Sequence, residues 1–152
     1  MAFERVIDIL DHAKKFHQAL GNLYQQVGVQ SGKEKLRILL NYMARHEAHL
    51  AECLAGLESD AAKRILHTWF KYPPEMPSCK CFECIDLKPD MEVEEIVEAA
   101  MKVDRCLINL YTETAQKAAT DEVKDFFRRL LDLEKKEETE CLRNALAYDQ
   151  AD

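Results

Sequence analysis

Apolar side chains recur along this chain at alternating spacings of three and four residues, in four long stretches. That spacing places them on one face of an α-helix, and such a face is buried when helices pack together. We therefore predict four long helices, which begin near Phe3, near Ser31, after Pro89 and at Thr120. Each apolar stripe is interrupted near its middle by a polar or charged residue.

Capping residues mark the predicted helix starts. Ser31 and Glu34 have the spacing of a capping box at the start of the second helix. Asp90 and Thr120 are suitable N-caps for the third and fourth helices, because a short polar side chain can accept a hydrogen bond from a free backbone amide. The second and third helices are separated by a long connection.

The long connection, residues 58–89, decides the predicted topology. Within it we predict a short helix over 61–71 that Pro73 ends. A connection of this length can cross the full height of a bundle, so the second and third helices can run parallel. The sequence therefore predicts an all-α four-helix bundle with up-down-down-up order. The expected single domain spans 1–152, with one hairpin at 3–57 and another at 90–148.

The charge balance narrows the expected partners. The formal net charge is −7, and the basic residues are spread along the chain. We therefore expect neither nucleic acid nor a membrane as a partner. Charged residues interrupt the first fifteen positions, and the longest stretch free of Asp, Glu, Lys and Arg, residues 16–32, is too short and polar to span a bilayer. We expect a cytoplasmic protein whose six cysteines are reduced.

The two predicted hairpins resemble each other in sequence. A shift of 87 residues superposes the first helix on the third and the second on the fourth, and Asn-Leu-Tyr at 22–24 recurs at 109–111. Such self-similarity indicates duplication of a helical hairpin. The polar interruptions that the shift superposes are His17 with Asp104 and Glu47 with Glu134.

These four polar residues are predicted to lie at one height. Within each hairpin, both of them are fifteen residues from the turn. Glu137, one helical turn after Glu134, lies on the same face. Buried acids are unfavourable by several kcal/mol each unless they pair, protonate or bind a cation. Since divalent cations take carboxylate and imidazole donors, we predict a metal site; a hydrogen-bonded network around His17 is the alternative.

A bundle with a long crossover and an acidic centre resembles the ferritin-like superfamily, in particular its rubrerythrin and bacterioferritin type. In that family two helices each provide a Glu and the other two each provide Glu-x-x-His. Glu47 and Glu134 match the bridging glutamates, and Tyr24 and Tyr111 match a tyrosine seven residues after the first ligand. The resemblance implies an iron cofactor, with Mn or Zn as alternatives. It also implies peroxidase-like or ferroxidase-like chemistry on small oxidants or iron, which the two tyrosines would tune or shield.

The chain departs from the ligand pattern of that family. The substituted positions are His17 and Asp104, each in place of Glu, and Leu50 and Glu137, each in place of His. Because Leu50 has no donor atom, His46 or His49 would have to replace the missing ligand. We therefore expect an altered or single-metal centre. The competing hypothesis is a non-enzymatic helical interaction module with a degenerate, metal-free centre.

Three cysteines, Cys79, Cys81 and Cys84, lie close together in the predicted connection. Their spacing is compatible with a Zn site, completed by a donor such as His67, or with thiol redox chemistry. A plain loop of reduced thiols is the alternative. The remaining cysteines, which fall on helical faces and are expected to be small buried hydrophobes, are Cys53, Cys106 and Cys141.

An aromatic cluster ends the predicted short helix. Trp69, Phe70 and Tyr72 could pack as a lid on the end of the bundle. They could also form a contact between subunits, because aromatic anchors dominate interfaces. We expect a homodimer or a higher homo-oligomer.

Overall fold

The described part of the chain is built almost entirely from helices. The computed structural model describes residues 5–72, 74 and 86–150. The helices are α1 (Val6–Gln30), α2 (Glu34–Asp60), α3 (Lys63–Leu66), α4 (Val93–Lys117) and α5 (Asp121–Gln150). The four long helices confirm the all-α prediction. The short helix is four residues long, so the prediction of a helix over 61–71 was wrong in its extent.

The order of the helices is up-down-down-up, as predicted. The start of α2 lies beside the end of α5, where the Lys35 ammonium is 3.2 Å from an Asp149 carboxylate oxygen. Further along, Asn144 donates a 3.0 Å hydrogen bond to the Tyr42 hydroxyl. These contacts show that α2 and α5 are antiparallel. Since α4 and α5 form a hairpin, α2 and α4 run parallel.

The start of α2 is not the predicted capping box. Its N-cap is Lys33, without a side-chain cap. Ser31 instead ends α1. The Ser31 hydroxyl donates to the Pro89 carbonyl oxygen at 2.8 Å and accepts from the Lys33 amide at 3.2 Å. The hydroxyl therefore ties the first hairpin to the connection before α4, a contact between distant parts of the chain.

The start of α4 also differs from the prediction. Its N-cap is Glu92 instead of Asp90, and Glu92 forms a capping box with Glu95. The backbone amide of Glu92 donates to the Glu95 carboxylate at 3.2 Å. Two carboxylates near the positive end of the helix dipole are favourable there.

Thr120 caps α5 as predicted, because the Val123 amide donates to its hydroxyl oxygen at 3.2 Å. We expect Thr120→Ala to lower the free energy of unfolding by about 1 kcal/mol, the usual effect of removing an N-cap hydroxyl. Urea denaturation measures this change, and Thr120→Ser, which keeps the hydroxyl, is the control. Equal stability of Thr120→Ala and the unmodified protein would contradict the capping role.

The predicted aromatic cluster is divided by the fold. Phe70 points inward, with its ring centroid 6.3 Å from that of Phe127 in α5. Trp69 and Tyr72 remain 64% and 66% exposed. The Arg5 guanidinium lies 5.6 Å from the centroid of the Trp69 ring. Phe70 thus acts as the predicted lid, and the predicted subunit contact stays a prediction.

The cysteines are not all reduced thiols. Cys106 is disulfide-bonded, which corrects the prediction of six reduced cysteines. Cys53 and Cys141 are free. The predicted loop of Cys79, Cys81 and Cys84 lies outside the described residues. In the described ranges, every helix is too short or too polar to cross a membrane.

Candidate metal centre

His17 lies at the middle of the bundle and joins three helices. Its side chain, on α1, has no exposed surface. Its Nδ1 lies 2.5 Å from Glu47 Oε2 on α2, and its Nε2 lies 2.7 Å from Glu134 Oε1 on α5. Both carboxylates are buried as well. The predicted convergence of these three residues at mid-height is therefore present in the structure.

The geometry around His17 suits a protonated ring. Each ring nitrogen faces a carboxylate oxygen, so a protonated ring donates to both carboxylates. Burial alone would lower the pKa of His17, but the hydrogen bonds to Glu134 and Glu47 outweigh burial and raise the pKa to about 10. At neutral pH the centre is therefore an imidazolium between two carboxylates. We call His17, Glu47 and Glu134 the central triad.

The two predicted tyrosines differ in their contacts. The Tyr111 hydroxyl donates to Glu134 Oε1 at 3.3 Å. The Tyr24 hydroxyl, also buried, has no hydrogen-bond partner among the described residues. Burial and nearby carboxylates raise the pKa of both phenols, so both remain protonated donors. Of the two phenols, Tyr111 thus contacts a central acid through its hydroxyl, and Tyr24 does not.

Asp104 of α4 stands beside the central triad without joining its hydrogen bonds. Burial raises its pKa well above the ordinary value, and the neighbouring charges of Glu47, Glu138 and Glu134 raise it further. A raised pKa favours the neutral carboxylic acid. Asp104 therefore holds a proton more readily than an ordinary aspartate does.

Of the two candidate replacement histidines, the structure turns one inward and one outward. His46 Nδ1 is 3.9 Å from Glu137 Oε2, and its ring stacks on Tyr42. Burial lowers the pKa of His46, which favours the neutral ring. Its Nε2 is buried without a partner in the described part of the chain. His49 is exposed and lies beside Cys53, so it does not reach the centre.

Two residues near the centre were not anticipated. Glu138 is close enough to Asp104 to raise its pKa. Cys141 is buried, and burial together with Glu47 and Asp104 raises the pKa of its thiol to about 12. Both follow Glu134 by four or seven residues on the same helical face. This spacing from Glu134 is the sequence feature that could have indicated that both residues lie near the centre.

One solved structure shares this architecture. It belongs to a protein of Thermotoga maritima that is described as a ferritin-like diiron-carboxylate protein. The two chains are 17% identical in sequence, with a TM-score of 0.57 over 94% of this chain and 95% of that chain. The chain has the ferritin-like fold. No family model matches the sequence, and no curated protein matches it at a significant level. At this identity the likeness establishes the fold and not the ligands.

The donors of this ferritin-like bundle fit a cation in their chemistry. Carboxylates and an imidazole are common ligands of divalent iron, manganese and zinc. Among the described residues, however, no group of three or more His, Cys, Asp or Glu side chains is arranged to hold a metal ion. Both His17 nitrogens point at Glu47 and Glu134, the two carboxylates that would also have to bind the metal ion. Leu50, where the family has a second His, is buried and apolar, so the donors fit one cation better than two.

Proposed function

We propose that this ferritin-like bundle binds a single divalent metal ion at its acidic centre, with iron as the first candidate and manganese or zinc as alternatives. The supporting observation is that three helices bring His17, Glu47 and Glu134 within hydrogen-bond distance in a buried core, beside Asp104. This core holds more carboxyl groups than cations. The Thermotoga maritima protein with the same fold is described as a diiron-carboxylate protein, which supports iron.

The central triad would supply the ligands, with Asp104 as a further oxygen donor. Bound iron would provide one-electron chemistry toward dioxygen or peroxide, which makes a peroxidase-like or ferroxidase-like activity the candidate reaction. Tyr111 holds its phenolic proton at Glu134 Oε1 and orients that carboxylate. The surrounding apolar residues exclude bulk water, which strengthens electrostatic interactions at the centre.

Metal and proton compete at this centre. The His17 imidazolium already neutralises one of the two glutamates, and ligands must be deprotonated to bind a metal. A metal ion must therefore displace a proton whose pKa is about 10. We expect affinity below that of a site with four free ligands, and release of protons on binding.

Metal analysis of untagged protein purified without chelator tests the proposal. We expect about one equivalent of metal, and we expect Glu47→Gln with Glu134→Gln to abolish it because both central carboxylates are lost. The matched control is Glu52→Gln with Glu140→Gln, which removes two exposed carboxylates from the same helices. Equal metal content in the two double variants would contradict the proposal.

A metal-free bundle that serves as a helical interaction module is the second candidate. The specific observation in its favour is that both His17 nitrogens are engaged by carboxylates. One of the two buried glutamate charges is then neutralised without a metal ion, and both carboxylates keep a hydrogen-bond donor. This candidate predicts that added Fe(II), Mn(II) or Zn(II) leaves the melting temperature unchanged, whereas a metal that binds the folded state raises it.

A further inference from the structure

A groove on the outer face of α1 and α2 has His17 at its floor. Its volume is about 450 Å³, which is within the range of small-molecule sites. The ring of His17 is fully buried, so the groove ends against it without exposing it. The groove therefore brings solvent close to the central triad at one place on the surface.

Small residues create this groove. Gly21, one turn after His17, lines it together with Ala44 and Ala48 of α2. A Cβ atom at Gly21 would lie 3.3 Å from the Ala44 carbonyl oxygen and 3.3 Å from the Glu47 Cβ. Such contacts are tighter than ordinary van der Waals distances, so glycine permits the close approach of the two helices here. Larger side chains at the alanines would fill the groove.

The polar side chains of the groove define the chemistry that it can bind. Four carboxamides line it, those of Gln18, Asn22, Gln25 and Asn41, together with the guanidinium of Arg45. None of the described residues that line it is acidic. Carboxamides both donate and accept hydrogen bonds, and a guanidinium pairs with carboxylates. This lining suits neutral or negative molecules.

The positive charge of the groove comes from Arg45. Three lysines of the same hairpin, Lys14, Lys33 and Lys35, are paired with acidic side chains. The groove therefore attracts an anion through one guanidinium.

We propose that this groove binds small hydrogen-bonding molecules that are neutral or singly negative, of the size of a simple carboxylate, against its floor at His17. The groove and its occupant do not require the metal ion proposed above. A small oxidant such as hydrogen peroxide belongs to the same chemical class. The α1 and α2 face is then the entrance through which small molecules approach the central triad.

Formate and ammonium, used as probes, test the assigned chemistry. We expect formate to cause saturable amide shifts at Gly21 and Ala44 in NMR spectra of the labelled full chain, and ammonium to cause none. Arg45→Gln should weaken the formate response several-fold, whereas Arg129→Gln, which removes an exposed arginine of α5, should not. Absence of saturable formate shifts, or equal responses of the two variants, would overturn the assigned class.

Exchange of the His17 ring Cε1 proton with deuterium, followed by mass spectrometry at constant pH, tests the entrance. We expect Ala48→Leu to slow this exchange several-fold because leucine fills the groove. Ala55→Leu is the control, since Ala55 is also exposed on α2 but lies two turns further along. Equal exchange half-lives in the two variants would show that solvent does not approach His17 through the groove. Neither variant removes a candidate metal ligand, so failure here is separable from failure of the metal proposal.

Discussion

Replacement of His17 by leucine is expected to lower the free energy of unfolding by about 3–5 kcal/mol, because removal of one partner of a buried ion pair leaves an uncompensated buried charge. Glu47 and Glu134 would both lose the imidazole donor, and Glu134 would keep only the Tyr111 hydroxyl among the described residues. Urea denaturation in the presence of a chelator measures the change. The chelator is needed because a metal ion bound to the folded state would add to its stability.

Two further variants separate the ionic effect from the loss of packing. Gln18→Leu changes an exposed neighbour and should leave stability nearly unchanged. The triple variant His17→Leu, Glu47→Met, Glu134→Met replaces the whole central triad by apolar residues. It should recover most of the lost stability, because a buried ion network can often be exchanged for apolar residues. A His17→Leu protein as stable as the Gln18→Leu protein would show that the triad does not neutralise the buried acids.

The stability of the folded protein is expected to fall as pH rises from neutral to alkaline values. The pKa of His17 is about 10 in the folded state and has an ordinary value of 6.5. A raised pKa of this kind contributes stability that is fully present below 6.5 and lost as pH rises through 10. Between these values the unfolded chain has released the proton that the folded chain retains. The expected slope is about 1.4 kcal/mol per pH unit.

Urea denaturation at about pH 7 and at about pH 9 measures this slope. Asp104 has a raised pKa as well, so its contribution has the same sign and is present at acidic pH. The His17→Leu variant keeps only the share from Asp104 and other groups, and its slope should be clearly smaller. A slope equal to that of the unmodified protein would show that the His17 proton is not bound more tightly in the folded state.

The helices and the height of the central residues were determined by the sequence alone. Periodicity of apolar residues is a local property, because the period of the helix dictates which side chains share a face. His17 and Glu47 are equally far from the turn between α1 and α2, so the two residues lie at the same height in the bundle. The same argument holds for Glu134 in the second hairpin. These predictions needed no knowledge of how the two hairpins pack.

Tertiary structure decided where each polar atom points. His17 and Tyr24 lie on the same stripe of α1, yet His17 has two carboxylate partners and the Tyr24 hydroxyl has none among the described residues. His46 and His49 are three residues apart, but packing against α5 turns only His46 inward. The Ser31 hydroxyl contacts Pro89, which is distant in sequence, and so does not cap α2. Side-chain rotamers and the rotation of each helix about its axis depend on the neighbouring helices, and no local pattern encodes them.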